Sequence, residues 1–158
     1  MTEHWRTKLD SNGVRWLSLD KRNSSTNVLS RQVLEELSGL LDRLESEAPT
    51  GVVIKSAKPT GFILGADLTE FESVQTVEQA ETLCRKGQTL LSRIEALPCP
   101  TVALMKGYPL GGALELALAC DYRVAIEGYD RCIGFPEVQL GIHHGFRGTD
   151  RSDRKNGA

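Results

Sequence analysis

The sequence contains no continuous apolar run of about 18 residues, the length that a membrane-spanning helix requires. The first six residues are mostly polar or charged, and they lack the apolar stretch of a secretory signal. The sequence therefore predicts a protein without a membrane span, and we expect it in the cytoplasm.

The chain also lacks an excess of positive charge. Its 19 Lys and Arg residues are outnumbered by 21 Asp and Glu residues, which gives a net charge of −2. Because charges of both signs are interspersed, no basic patch is available to neutralise a phosphate backbone. Nucleic acid is therefore not an expected partner.

Residues that bind metals or form disulfides are few. The chain has four cysteines and three histidines, and no two cysteines show the C-x-x-C spacing of a zinc or redox site. No histidine stands at ligand spacing from an acidic cluster. We expect no metal site, and we expect buried, reduced thiols at Cys84, Cys99, Cys120 and Cys132.

Strand and helix patterns alternate along the chain. With 158 residues, 40% of them apolar, the sequence can form one globular domain with a core. Alternating apolar residues over 14–19, after an Asn12-Gly13 turn, predict a hairpin with a strand at 4–9. Short apolar runs predict further buried strands at 51–55 and 101–105, and another strand is expected at 122–126.

Three helices are predicted between these strands. Apolar residues recur at helical spacing over 31–46, and Ser30 is the expected N-cap of this helix. They recur again from Thr76 as far as Pro98, and Thr76 has the capping-box spacing to Gln79. A third helix is expected at about 112–120. The resulting β-α-β-α-β order is typical of an α/β domain with crossover helices.

The C-terminal residues show no hydrophobic period. From Arg147 onward the sequence is dominated by charged and small residues, which bury too little apolar surface to offset the entropy of ordering. The sequence therefore predicts one domain over residues 1–149 and a disordered tail over residues 150–158.

Two glycine-containing segments can present backbone N–H groups to a ligand. Gly111 and Gly112 open the third predicted helix, and Gly65 and Ala66 precede Asp67 in a separate loop. Two N–H groups from different loops that converge on one carbonyl oxygen would form an oxyanion hole. Taken alone, each segment also fits an ordinary helix-entry turn, with Asp67 as a cap in the second case. Neither segment has the spacing of a nucleotide-binding glycine motif.

Two glutamates accompany these segments. Glu115 would lie in the first turn of the third helix, and Glu137 follows Pro136 in a glycine-rich loop. Two carboxyl groups on rigid turns can divide the roles of acid and base if their environments separate their pKa values. The alternative interpretation is a surface acid matched to the helix dipole at Glu115 and a solvated loop acid at Glu137.

The joint occurrence of these segments identifies a family. Residues 61–71, 107–117, 120–125 and 134–142 resemble, in this order, the enoyl-CoA hydratase/isomerase (crotonase) family. The resemblance runs from about residue 5 to about residue 149. It implies a fold of the ClpP/crotonase type, an α/β fold of stacked ββα units, and a fatty acyl-CoA thioester as the substrate.

The resemblance also assigns roles to residues. The N–H groups of Ala66 and Gly112 would bind the thioester oxygen, and Glu115 and Glu137 would add water across the 2,3 double bond. Gly65, Asp67, Leu68 and Gly111 would line the substrate site. In the isomerase variant a carboxylate would move a proton between carbons 2 and 4. No metal or dissociable cofactor is implied, because coenzyme A is part of the substrate.

Within the family, residues 27–30 and 136–141 are most similar to the hydratase part of multifunctional fatty-acid oxidation subunits. The dehydrogenase region of those subunits is not in this sequence, so no NAD site is implied.

The sequence departs from the family pattern at several positions. Pro109 stands where a small residue is usual, Ala113 where glycine is usual, His144 where proline is usual and Arg147 where glycine is usual. After Thr149 the family pattern ends, which predicts a fold that is incomplete at its C-terminus. The resemblance implies a homo-oligomer, but the family's trimer contact would be lost with the C-terminal helices. The alternative to an active hydratase is a truncated, inactive remnant that at most binds CoA thioesters or a partner.

Overall fold

The computed structural model of the protein describes residues 2–59, 61–126 and 133–156. Its five strands form one sheet in the order β1-β2-β3-β4-β5. The strands are β1 Trp5–Leu9, β2 Val14–Leu19, β3 Gly51–Ser56, β4 Thr101–Met105 and β5 Tyr122–Ala125. β1 and β2 pair as an antiparallel hairpin, and the remaining neighbours pair in parallel. The predicted hairpin and the α/β class are therefore confirmed.

The structure has five α-helices among the described residues. They are α1 Arg31–Glu47, the short α2 Leu68–Phe71, α3 Val77–Glu95, α4 Gly112–Ala119 and α5 Gly148–Asn156. Three of them, α1, α3 and α4, lie close to their predicted positions. Ser30 caps α1, since its side chain accepts from the N–H of Val33. At α3 the capping box between Thr76 and Gln79 is complete. These caps supply partners for backbone donors that a helix start leaves unpaired.

The core joins three parallel strands to three helices. Apolar side chains of β2, β3 and β4 pack with those of α1, α3 and α4 in one cluster. All eight residues of α4 are buried, including Glu115. A helix without a solvent-facing side lies inside the molecule, so a carboxyl group on it is removed from bulk water.

A buried asparagine fixes the loop between β2 and α1. The Nδ2 atom of Asn27 donates to Leu19 O and to Ser56 Oγ, both at 2.9 Å, which ties the loop to the ends of β2 and β3. The carbonyl oxygen of Asn27 accepts from Leu64 N at 2.9 Å, so the loop that carries Gly65 is held as well.

Residues 148–156 differ from the predicted disordered tail, because the structure places them in α5. Polar contacts rather than a hydrophobic period hold this helix. Arg151 is buried: it donates to Phe146 O and pairs with Glu95 on α3 at 3.0 Å. Hydrophobic periodicity does not detect such an anchor. The predicted domain limit at residue 149 stays a prediction.

Three cysteines lie within the described residues. Cys120 is buried, and Cys84 and Cys99 are half-buried, all with free thiols, whereas Cys132 lies outside the described residues. Across the described part of the chain no helix is both long and apolar enough to cross a membrane.

Candidate active site

All eight residues singled out in the sequence line one cavity. The cavity has a volume of about 650 Å³ and lies between the loop before α2, the start of α4 and the segment 136–146. Its wall includes Gly65, Ala66, Asp67, Leu68, Gly111, Gly112, Glu115 and Glu137. The structure thus brings together residues that are up to 72 positions apart in sequence, although their chemical roles remain predictions.

The two glycine segments are in direct contact. Gly65 has a φ of +102°, and a Cβ at this position would lie 3.0 Å from the carbonyl oxygen of Leu110. Gly111 has a φ of +52°, which an L side chain rarely adopts. Glycine at position 65 therefore allows the two loops to approach each other, and glycine at position 111 allows the backbone conformation that precedes α4.

Two unpaired N–H groups result from this approach. Among the described residues, Ala66 N and Gly112 N donate to no protein oxygen, whereas their neighbours Asp67 N and Gly111 N donate to Leu29 O and Gly134 O. A Cβ on Gly112 would lie only 3.6 Å from Ala66 N, so the two donors lie close together. Gly112 is also the first residue of α4, where the helix dipole favours negative charge. The arrangement fits a binding site for an oxyanion.

Glu115 is held by the backbone. Only 2% of its surface is exposed, and its Oε1 accepts from Phe146 N at 2.8 Å and from Gly148 N at 2.7 Å. Burial raises the pKa of Glu115, and the two amides oppose this shift. The structure thus excludes the alternative of a surface acid at Glu115.

Glu137 is held mainly by side-chain packing. It lies in the 3₁₀ turn Pro136–Leu140, and a Cβ at Gly111 would come within 2.4 Å of its Oε1. The other carboxylate oxygen, Oε2, lies 3.2 Å from Nδ1 of His144. Glu137 is buried, which does not agree with the alternative of a solvated loop acid.

Asp67 caps α2, as the alternative interpretation of its segment proposed. Its side chain accepts from Thr69 N and pairs with Lys21 at 2.9 Å. A hydrogen bond from Lys21, and to a smaller extent one from Thr69, holds the pKa of Asp67 below its ordinary value, so the carboxylate is charged. A role in substrate binding would therefore come in addition to a structural one.

The outer wall of the cavity is apolar. Leu64, Leu68, Phe71, Leu140 and Ile142 line it, and each exposes more than a third of its surface. An apolar wall around a pair of N–H donors and two carboxyl groups suits a ligand with a hydrocarbon chain next to a carbonyl group.

Sequence reasoning missed several residues that shape the site. His144 was noted only as a departure from the family pattern, and Phe146 and Gly148 were not considered as donors to Glu115. The Phe146 ring occupies the space that a Cβ on Gly87 of α3 would need, which fixes the segment that donates to Glu115. No periodicity or motif carries this information, because the contact joins residues 59 positions apart.

The geometry defines a class of protein, one with two unpaired backbone N–H groups and two buried carboxyl groups beside one cavity on an α/β core. The sequence profile described as Enoyl-CoA hydratase/isomerase matches residues 10–158. The chain is 44% identical over 147 residues to the fatty acid oxidation complex subunit alpha of Aliivibrio fischeri, covering 92% of this chain and 21% of that protein. It is also 44% identical over 132 residues to a probable enoyl-CoA hydratase of Bacillus subtilis, covering 84% of this chain and 50% of that protein.

A solved structure agrees with these matches. The enoyl-CoA hydratase from Bacillus anthracis superposes with a TM-score of 0.84 at 32% identity, covering 96% of this chain and 58% of that chain. The chain therefore belongs to the enoyl-CoA hydratase/isomerase family, a family of enzymes, and has the crotonase-like fold. It spans 21% of the fatty acid oxidation subunit and about half of the Bacillus subtilis relative.

Proposed function

We propose that this chain adds water to 2-enoyl-CoA thioesters. The observation that carries the proposal is the presence of two buried carboxyl groups, Glu115 and Glu137, beside the unpaired N–H groups of Ala66 and Gly112. A thioester is bound with its oxygen on these two amides and its acyl chain along the apolar wall. Coenzyme A belongs to the substrate, and the reaction as proposed uses no metal and no dissociable cofactor.

The two amides act on the thioester oxygen. As water adds to carbon 3, the double bond shifts and negative charge develops on that oxygen. N–H groups already oriented toward it stabilise this charge, and one such donor is typically worth about 3–4 kcal/mol in the transition state. The start of α4 adds its positive dipole end at the same place.

The two carboxyl groups move the protons. Burial raises the pKa of Glu115, which makes its carboxylate a stronger base for the proton of the attacking water. The oxygen of that water forms the new bond to carbon 3, and Glu137 supplies a proton to carbon 2. Proton exchange with solvent then returns both groups to their starting forms.

The number of carboxyl groups favours hydration over isomerisation. Moving a proton from carbon 4 to carbon 2 needs one carboxylate, whereas hydration uses a base for water and an acid for carbon 2. Both Glu115 and Glu137 line the cavity. Isomerisation of 3-enoyl-CoA thioesters is a second activity of the same site, which we expect to be weaker.

The direct test is the hydration of crotonyl-CoA by the purified chain. We expect the absorbance of the conjugated thioester to fall and 3-hydroxybutyryl-CoA to form. Circular dichroism establishes that the sample is folded, and calorimetric titration with a saturated acyl-CoA measures binding separately. A folded chain that binds acyl-CoA without turnover would contradict the proposal and identify an inactive member of the family.

A further inference from the structure

The support of Glu137 differs from that of Glu115. Two backbone amides hold one oxygen of Glu115. No backbone amide of the described residues donates to the carboxylate of Glu137, whose backbone carbonyl instead accepts from Ile142 N at 3.1 Å. The turn is therefore fixed, but the orientation of the side chain needs another support.

The imidazole of His144 stands where this support is needed. Its Nδ1 atom lies 3.2 Å from Oε2 of Glu137, within ion-pair distance. Both atoms are buried, and neither has an aligned hydrogen-bond partner among the described residues. The 3.2 Å contact thus joins two buried polar atoms that have no hydrogen-bond partner elsewhere in the described part of the chain.

The imidazole ring is itself fixed by packing. It lies against the ring of Phe135, with centroids 4.2 Å apart and planes inclined by 37°. Phe135 in turn fills the space beside Gly148, where a Cβ would come within 2.8 Å of its ring. Because Gly148 N binds Glu115, one packed row of residues connects the supports of both carboxyl groups.

We propose that His144 is a positioning residue for Glu137, an inference that rests on the proposed hydratase function. The imidazole holds Oε2, so that Oε1 stays beside Gly111 at the cavity. An acid or base displaced by about 1 Å can lose about 100-fold in rate, so removal of this support lowers turnover without removing a group that touches the substrate.

Two substitutions at one position test the inference. His144→Leu removes the polar contact, while His144→Asn places an amide nitrogen near the position of Nδ1. With crotonyl-CoA we expect His144→Leu to lower kcat by about 100-fold with KM within twofold, and His144→Asn to recover at least a tenth of wild-type kcat. Equal kcat values for the two variants, whether high or low, would overturn the inference.

A second measurement does not depend on turnover. In the ¹⁵N spectrum of the imidazoles, Glu137→Gln should shift the Nδ1 resonance of His144 and leave that of His4 in place. His4 is a matched reference, because its Nδ1 accepts from Arg22 N. An unchanged His144 resonance would overturn the inference. An inactive wild-type chain with a shifted resonance would instead contradict the proposed function alone.

Discussion

Glu115 and Glu137 line the same cavity, but they are supported by different parts of the chain. Glu115 projects from a fully buried helix, and its Oε1 accepts two backbone N–H groups. Glu137 projects from a 3₁₀ turn, and its carboxylate is placed by Gly111 on one side and His144 on the other. The support of Glu115 comes from backbone N–H groups, which a side-chain change does not itself remove unless proline is introduced, whereas a single side-chain change removes the imidazole beside Glu137.

Glu115 and Glu137 also differ in what determines the environment of the carboxyl group. The pKa of Glu115 is raised mainly because its surroundings exclude water. The N–H groups of Phe146 and Gly148 counteract this effect, and because they belong to the backbone, the environment of Glu115 is set by the fold. The surroundings of Glu137 are set by side chains, which makes its half of the site the easier one to alter.

The largest expected effect follows from removing either carboxyl group. Glu115→Gln and Glu137→Gln each keep the side-chain shape but can no longer exchange a proton. We expect each to lower kcat for crotonyl-CoA hydration by about 10²–10⁴-fold, the usual contribution of a general acid or base. The measurement is the initial rate of absorbance loss at saturating substrate.

A matched control is Glu81→Gln, on the exposed side of α3. Glu81 forms an ion pair with Arg85 and does not line the cavity. We expect its kcat to stay within twofold of the wild type. If only one of the two cavity variants lost activity, the division of acid and base roles between Glu115 and Glu137 would be wrong.

The sequence predicted the strands, three of the helices and eight of the residues that line the cavity, but not the contacts that support them. Periodicity found α1 and α3 because their apolar faces repeat, and residue chemistry found the capping box at Thr76. The assignment of Glu115 and Glu137 as catalytic residues depended on the family resemblance, because each residue alone also fitted the interpretation of a surface or loop acid. The buried Arg151 pairs with Glu95, 56 positions away, and the imidazole of His144 reaches Glu137 across an irregular loop, so neither contact leaves a periodic pattern.

The next largest effect concerns Gly112, which lines the same cavity as the two carboxyl groups and whose N–H is unpaired among the described residues. Gly112→Pro removes this donor, and proline is well tolerated at the first position of a helix. We expect kcat to fall by about 10²–10³-fold, as for the loss of one oxyanion donor. Both carboxyl groups stay in place in this variant, so the experiment separates the contribution of the amide from theirs.

Gly112→Ala is the control, because it adds a Cβ but keeps the N–H group. That Cβ would lie 3.5 Å from the side chains of Leu29 and Phe146, an ordinary van der Waals distance. We expect less than a tenfold loss, on the order of 1 kcal/mol in the barrier. Equal losses for Pro and Ala would show that space, and not the N–H, is what Gly112 provides.

The free energy of unfolding should depend on pH through the buried carboxyl group of Glu115. Its pKa in the folded state is raised above the ordinary value of 4.5, so the folded state binds more protons than the unfolded state between 4.5 and the raised value. The free energy of unfolding therefore decreases as pH rises through this interval. Glu115→Gln should remove this decrease and be more stable than the wild type above the interval. Thermal unfolding across pH measures both, and a pH dependence unchanged by the substitution would contradict a raised pKa.

The smallest expected effect concerns the turn that supplies the amides to Glu115. Arg147 has a φ of +69°, where the side chain is strained, and it lies between the two donors Phe146 and Gly148. Strain of this kind costs about 1–3 kcal/mol. Arg147→Gly relieves it, and the exposed pair of Arg147 with Asp150 that is lost contributes only about 0–1 kcal/mol.

We therefore expect Arg147→Gly to raise the free energy of unfolding by about 1 kcal/mol and the midpoint of thermal unfolding by about 2–4 °C. Activity should be retained, because both N–H donors to Glu115 remain in place. Arg147→Ala is the matched control: it also removes the ion pair but keeps a Cβ in the left-handed conformation, so no gain in stability is expected. A gain of equal size in both variants would assign the effect to the charge of Arg147. A gain in stability that occurs only in Arg147→Gly would show that the turn supporting Glu115 is under backbone strain in the wild type.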